Sequence, residues 1–289
     1  MILIFGAILM DIHVTLDQDQ TLPPRCHSAS SYHIGVGGHA AIQALAAAKS
    51  GARAALIGQV GDDHYGKNIL LRLRQRGVIT SGVARHESLP TGTIFTMGRQ
   101  NPQSIMAFGA SAKANIEQIP REIVETQTIL LLQDELPAKQ NTPVFKRAEE
   151  QGARLIFTPT LRTSLAEYDL SLCDDVIIPQ AHKSILPAGL DANIITIKEN
   201  GDCIYEEKGQ PPRPVNIKEP ENFQHRDTDG AFDAFCGTYA AGLSNGFSLE
   251  ETLSRAVIAA KLTSAKTGHH ETLPYLDEIN DWMKNIEQK

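Results

Sequence analysis

The chain is poor in cysteine: four in 289 residues, with no C-x-x-C pair. That excludes a disulfide framework and implies no zinc site, so Cys26, Cys173, Cys203 and Cys236 read as reduced thiols of a cytosolic protein. Long hydrophobic runs are also missing, and none approaches the ~20 residues that a membrane-spanning helix needs. There is no basic leader with a cleavage pattern, and the first residues already read as a strand, so a cytoplasmic rather than an exported protein is expected. Positive charge is in deficit, with 27 Lys and Arg against 34 Asp and Glu. The resulting formal charge of −7 argues against a dedicated nucleic-acid or membrane-surface protein, though not against a nucleotide held by local N–H groups and a metal. Internal repeats and low-complexity linkers are absent, and Pro211, Pro212 and Pro214 mark a loop rather than a domain boundary.

What is present is a globular core. Hydrophobic residues make up 42% of the chain, enough for one large α/β domain with a small appendage over residues 1–289. Apolar runs at Ile2–Phe5, Ala54–Val60, Thr128–Leu132, Arg154–Phe157, Val176–Ile178, Ile194–Ile197 and Cys203–Glu206 read as strands. Helices are expected at Gly38–Lys49, Lys67–Arg76, Val144–Gln151, Ala231–Leu243, Leu249–Thr267 and about Tyr275–Ile286. Thr91–Met97 and Ser104–Phe108 read as two strands joined by a hairpin-like turn. Strand–helix alternation predicts a mostly parallel sheet covered on both faces, with ligands at the carboxyl ends of its strands. Gly6, Glu135 and Pro159 follow apolar strands and should lie on that rim.

The stretch Asp227-Thr228-Asp229-Gly230-Ala231-Phe232-Asp233 carries the clearest chemistry. It sets a carboxylate beside the free N–H groups of a helix start, where backbone amides and the macrodipole favour anions. Such a carboxylate can take a proton from an alcohol while the amides stabilise a transferring phosphoryl group. The alternative is a helix N-cap followed by an ordinary surface acid.

The same stretch resembles the D-T-x-G-A-G-D signature of the ribokinase (PfkB-type) family of carbohydrate and nucleoside kinases. Further landmarks follow in order: Gly6 with Asp11, Gly37-Gly38 before an Ala-rich helix, Val60-Gly61-Asp62-Asp63 with Gly66, Gly77-Val78, Gly109-Ala110-Ser111, and Glu135 after a strand. The resemblance covers nearly the whole chain. It implies a three-layer α/β/α sandwich with a mostly parallel central sheet and a small β-sheet lid, drawn from about residues 12–34 and 91–108. It implies transfer of the γ-phosphoryl group of ATP to an alcohol, with Asp233 as general base and Gly230, Ala231, Phe232 and Asp233 as the anion hole. Asp11, Gly37 and Gly38 would hold substrate hydroxyls, with a surface acid and a simple turn as the alternatives. Glu135 is either a substrate contact or a loop acid. Mg²⁺ would bridge the phosphates through water, and the Asp227 loop is a candidate for a monovalent cation such as K⁺. The exposed face of the lid is a candidate for pairing two copies into a homodimer.

Departures from the pattern shape the substrate expectation. Phe232 replaces a glycine of the anion hole; a helical backbone there would keep its N–H. Leu9 and Ile42 stand where the family has Asn, and His39, which stands where ribokinases have Lys, is either a neutral donor to the substrate or an exposed helix-start residue. Two aliphatic replacements suggest a substrate with fewer or differently placed hydroxyls, since a buried unpaired hydroxyl costs roughly 1–3 kcal/mol. The N-x-x-E motif reads Gln180-Ala181-His182-Lys183, so Lys183 is either a phosphate contact or a solvated lysine. The nucleotide motif T-x-G-x-x-G reads Thr196-Ile197-Lys198-Glu199-Asn200-Gly201, with Thr196, Lys198 and Gly201 as candidate ATP contacts. Arg162, after Pro159 and Thr160, matches one position of the D-x-N-x-R segment of keto-deoxygluconate kinases and fructokinases, and is either a contact to a phosphate or an acidic substrate or a surface salt bridge. The expected function is thus an ATP-dependent kinase of a sugar, sugar acid or nucleoside-like molecule. The other readings are a ligand-binding relative without turnover and an enzyme with a different donor or metal arrangement. Retained Asp233, Asp11, Glu135, Gly37 and Gly38 favour catalysis; Phe232, Lys183, Leu9 and Ile42 favour binding alone.

Overall fold

The computed structural model describes residues 1–16, 28–98, 103–160, 164–207, 209–268 and 272–287. Cys26, Arg162 and positions 99–102 of the expected hairpin turn lie outside these residues. The strands are β1 (Ile2–Phe5), β2 (Leu9–Leu16), β3 (Ala29–Gly37), β4 (Ala54–Gly61), β5 (Ile79–His86), β6 (Thr91–Met97), β7 (Gln103–Gly109), β8 (Ile129–Gln133), β9 (Arg154–Thr158), β10 (Asp175–Pro179), β11 (Asn193–Ile197), β12 (Cys203–Glu206) and β13 (Arg213–Val215). The helices are α1 (His39–Lys49), α2 (His64–Gln75), α3 (Ala138–Gln151), α4 (Ala231–Ser244), α5 (Leu249–Ser264) and α6 (Leu276–Glu287).

A nine-stranded sheet runs β13-β12-β11-β10-β9-β8-β1-β4-β5. It is parallel from β11 to β5, and the final pairings of β12 and β13 are antiparallel. The first apolar run lies at its centre, with Ile2 opposite both Ala54 and Ile129. Alternation along β1 sends Ile2 and Ile4 into the core under α1, α4 and α5, and Leu3 and Phe5 into the core under α3. Both faces are covered, which is why the strand reads as a continuous apolar run. The expected α/β/α sandwich is therefore present. No helix among the described residues is long and apolar enough to cross a membrane.

A second sheet, ordered β3-β2-β6-β7, forms the lid. Two landmark motifs fasten its roots to the main sheet. Asp63 caps α2 by accepting from Gly66 N at 2.8 Å, and it also accepts from Thr91 N and Thr91 Oγ1, each at 2.7 Å. Burial alone would raise the pKa of Asp63, but these hydrogen bonds outweigh it and hold the carboxyl below its usual value. Ser111 Oγ is fully buried, 3.1 Å from Ile8 N, 2.8 Å from Ile8 O and 2.9 Å from Gln59 O.

Some elements differ from expectation. Helix α3 begins at Ala138 and carries Pro143 inside it, where proline removes a backbone donor and ordinarily ends a helix. The segment Pro211–Pro214, expected as a loop, contributes the edge strand β13, with Pro214 opposite Ile204; an edge tolerates proline because one side of the strand needs no ladder bond. Strand β5 was not anticipated, because Gly82 interrupts its apolar pattern. Helix α5 stops at Ser264 rather than Thr267, and its last carbonyl accepts from Arg226 N at 2.7 Å and Asp227 N at 3.1 Å. A helix end that lacks intrahelical donors thus holds the loop that leads into α4.

Candidate active site

Helix α1 is rich in alanine and packs closely on α4. A Cβ at Gly237 would lie 2.4 Å from Gln43 O and 2.6 Å from Ala46 Cβ, so only glycine permits this approach. On α1, His39 and Gln43 are separated by four residues and share a face. On α4, Asp233 sits in the first turn. The packing brings the three side chains together. His39 Nδ1 lies 2.9 Å from both carboxylate oxygens of Asp233, and Gln43 Nε2 donates to Oδ1 at 2.9 Å. Gln43 is fixed in turn, since Nε2 also donates to Thr158 Oγ1 at 3.1 Å and Oε1 accepts from Gln133 Nε2 at 2.7 Å. Asp233 is only 3% exposed and Gln43 and Thr158 are fully buried, so the network rests inside the core. Burial, then the nearby Asp233 charge, pushes the Cys236 thiol well above its usual pKa, which keeps it protonated.

The loop before α4 turns at Gly230, which has φ of 76° and opens the helix as its N-cap. Ala231 N donates back to Thr228 O at 3.2 Å. Phe232 and Asp233 follow in the first turn, where amides have no intrahelical acceptor. Phe232 has no positive φ, so its backbone is unstrained at the glycine position. Asp227 Oδ1 accepts from Asp229 N at 3.0 Å and shapes the turn.

Two clefts flank this helix start. The larger, about 1160 Å³, is lined by Asp11, Gly37, Gly38, His39, Ile42, Glu135, Asp227 and Asp233 among others. All the expected substrate-side residues other than Arg162 are thus brought together. Gly38 has φ of 86°, and a Cβ there would lie 2.4 Å from Ala7 O. Glu135 Oε2 accepts from His39 N at 2.7 Å, so it caps α1, whose N-cap Gly38 has no side chain to do so. Leu9 is fully buried in the core and does not line this cleft, whose aliphatic lining comes from Ile42 and Ile94.

The smaller cleft, about 640 Å³, is lined by Lys198, Gly201, Ala231, Phe232, Ala260 and Ser264 among others. Gly201, at φ of 83°, closes the β11–β12 turn with its N–H donating to Lys198 O at 3.0 Å. Thr196 is buried, and its hydroxyl has no hydrogen-bond partner among the described residues. Lys183 is ion-paired with Glu206 and does not line the cleft. Thr228 lines both clefts, so they meet at the α4 N-terminus.

Residues 1–183 match the sequence model described as pfkB family carbohydrate kinase. The chain belongs to this family. It is 26% identical to a ribokinase of Bacillus subtilis over 294 residues, covering 98% of this chain and 99% of that one. It is also 26% identical to a ribokinase of Lactococcus lactis over 268 residues, covering 87% and 86%. The structure of Arabidopsis thaliana ribokinase complexed with ribose and ATP superposes with a TM-score of 0.86 at 24% identity, covering 98% of each chain; this likeness bears on the fold.

Within the pfkB frame, several cleft residues carry no signal in the family motifs. His13 and Thr15 of β2 and Thr96 of β6 face the cleft from the lid, and Arg226 faces it from the loop held by α5. Gln43 could have been found, because a polar residue four positions after His39 on an otherwise alanine-rich helix shares its face. Among the described residues no group of three or more His, Cys, Asp or Glu side chains could hold a metal ion. The described residues alone therefore do not form such a group for Mg²⁺.

Proposed function

We propose that the protein transfers the γ-phosphoryl group of ATP to an alcohol group of a small sugar, sugar acid or nucleoside-like acceptor. The observation that carries this reading is the buried carboxylate of Asp233 in the first turn of α4, at the junction of two clefts. The acceptor occupies the larger cleft against Asp11, Gly37, Gly38 and Glu135. The nucleotide occupies the smaller one against Lys198 and Gly201. Asp233 drives removal of the hydroxyl proton, and the amides of Gly230, Phe232 and Asp233 receive the phosphoryl oxygens, since that of Ala231 donates to Thr228 O. Transfer of this kind depends on positioning and on charge stabilisation, which a rigid helix start supplies. Family membership and the ribokinase relatives support the reading, as does the ribose and ATP named for the Arabidopsis structure. Mg²⁺, if required, would supply charge neutralisation to the nucleotide's phosphates, and no carboxylate group among the described residues is assigned to hold it. K⁺ at the Asp227 loop would act on the same turn.

The lid also supports a homodimer. Ile34, Ile12, Phe95 and Ile105 lie in register across its four strands; Ile12 and Ile34 pack against the main core, while Phe95, Ile105 and nearby Tyr32 are exposed. Ile105 is 63% and Tyr32 72% exposed, an apolar display that a second copy would cover.

One observation favours binding without turnover: Phe232 lines the nucleotide cleft where the family signature has glycine. The deciding experiment is ADP release from Mg-ATP across a panel of sugars, sugar acids and nucleosides, with Asp233→Asn as control. Turnover that falls by about 10²–10⁴-fold in the control is expected. No turnover of any acceptor by folded wild-type protein would leave the ligand-binding reading in its place.

A further inference from the structure

Among the described residues, five carboxylates line the larger cleft: Asp11, Glu135, Asp227, Asp229 and Asp233. Each is engaged within the protein. Glu135 accepts from His39 N, Asp233 from Gln43 and Asp227 from Asp229 N, while Asp11 and Asp229 have partners of their own. Against them stands one permanent cation. Arg226 is the only lysine or arginine among the described residues that lines this cleft. Its guanidinium makes no hydrogen bond or ion pair with any described residue, although Asp227 is its neighbour in sequence and Asp229 lies in the same loop.

The place of Arg226 is fixed by buried groups. Its backbone N–H donates to Ser264 O at 2.7 Å, and that of Asp227 donates to the same oxygen at 3.1 Å. Ser264 is 3% exposed, and its hydroxyl lies 2.7 Å from Nδ1 of His225, the residue before Arg226. Earlier on α5, the buried Lys261 pairs with Glu219, whose Oε1 lies 3.3 Å from His225 Nε2. The end of α5 thus pins the loop at three consecutive residues and occupies both ring nitrogens of His225. The guanidinium of Arg226 is left to the cleft. Its planar fork of donors matches a carboxylate or a phosphate. Elsewhere in the cleft such a group would meet charge of its own sign, so only acceptors that place it at Arg226 are favoured.

We propose that Arg226 selects acceptors that carry an anionic group, a carboxylate or a phosphate, and holds that group while the hydroxyl to be phosphorylated faces Asp233. The inference rests on the phosphoryl-transfer reading and names the class of acceptor within it.

The test sets gluconate against glucose and fructose 1-phosphate against fructose, in wild type and in Arg226→Gln. Calorimetry follows binding, and ADP release from Mg-ATP follows turnover. Wild type is expected to favour the anionic member of at least one pair, and the pair that responds tells a carboxylate from a phosphate. In Arg226→Gln the ratio of kcat/KM for the anionic over the neutral member should fall by about 10–100-fold, with the loss in KM. The ratio of calorimetric affinities should fall with it. A wild type that binds neither anion, or that favours the neutral member of both pairs, would overturn the proposal, as would an unchanged ratio in the variant. An equal loss on both members, carried by kcat, would assign Arg226 to the transferring phosphoryl group, and would overturn the proposal while leaving the kinase reading intact. If no acceptor turns over, the phosphoryl-transfer reading fails, and the calorimetric ratio alone decides whether Arg226 selects anions.

Discussion

The two clefts that meet at the α4 N-terminus are built by different means. The larger is made of side chains. Asp11, Glu135 and Asp233 are each no more than 5% exposed, and Asp233 is tied through Gln43 to Gln133 and Thr158 in the centre of the sheet. The smaller is built around the β11–β12 turn and the start of α4; Lys198 lines it, while two other lysines nearby are committed elsewhere. Lys183 pairs with Glu206, while Lys261 is buried between Asp202 at 3.0 Å and Glu219 at 2.6 Å. A helix N-terminus can receive phosphate oxygens through amides that every residue type supplies. Hydroxyl recognition and proton transfer need particular side chains at particular distances. Sequence change should therefore alter chemistry on the first side and be tolerated on the second.

The largest effect is expected where the side-chain half depends on close helix packing. Gly237→Ala places a methyl 2.4 Å from Gln43 O, against backbone rather than a flexible side chain. Overpacking of this kind costs roughly 1–3 kcal/mol. It should lower the melting temperature by several degrees and depress kcat by more than it depresses stability, because α1 carries both partners of Asp233. Thermal unfolding and turnover measured on the same preparation check this. Unchanged kcat in a destabilised variant would mean that the α1–α4 spacing does not set the geometry of the base.

A smaller and more selective effect is expected at Ile42, which is 3% exposed and lines the larger cleft. Ile42→Asn supplies a donor and an acceptor where the wall is now aliphatic. It should raise kcat/KM for polyhydroxylated sugars relative to the wild-type acceptor by about 5–100-fold, the worth of roughly 1–3 kcal/mol of restored hydrogen bonding. An unchanged preference order across the panel would remove Ile42 as the determinant.

Much of this arrangement can be read from the residues, and the limits have physical causes. The parallel strands at Ile2–Phe5 and Ile194–Ile197 are legible because burial on both faces demands continuous apolar runs. The start of α4 is legible because Gly230 and Asp233 bracket a turn and a helix. The His39–Gln43–Asp233 contact is not, since it depends on how closely two helices approach across 190 or more positions of sequence. The role of Glu135 as the cap of α1 is hidden for the same reason: the cap comes from another strand. Asp63 and Ser111 belong to landmark motifs that carry no stated role in the sequence. Their hydrogen bonds show them to be fastenings of the lid. Strand β5 and the first turn of α3 escape because Gly82 and Pro143 break local patterns that tertiary packing overrides.

The smallest effect is expected at Lys183, and it probes the backbone-built half. Its sequence position is that of an acidic residue in the family motif, so a reading from sequence alone would give the reversed charge a large consequence. In the structure the ammonium is paired with Glu206, part-exposed, and Lys183 does not line the smaller cleft. Exposed ion pairs of this kind contribute about 0–1 kcal/mol. Lys183→Ala should therefore change KM for Mg-ATP by less than about fivefold and leave kcat within about twofold. If the lysine instead swings onto the phosphates when nucleotide enters, the variant loses an interaction made in the bound state, and kcat/KM for the nucleotide falls by ten-fold or more. That outcome would mean that the smaller cleft also relies on a side chain, and the contrast between the two halves would then be one of the unliganded protein alone.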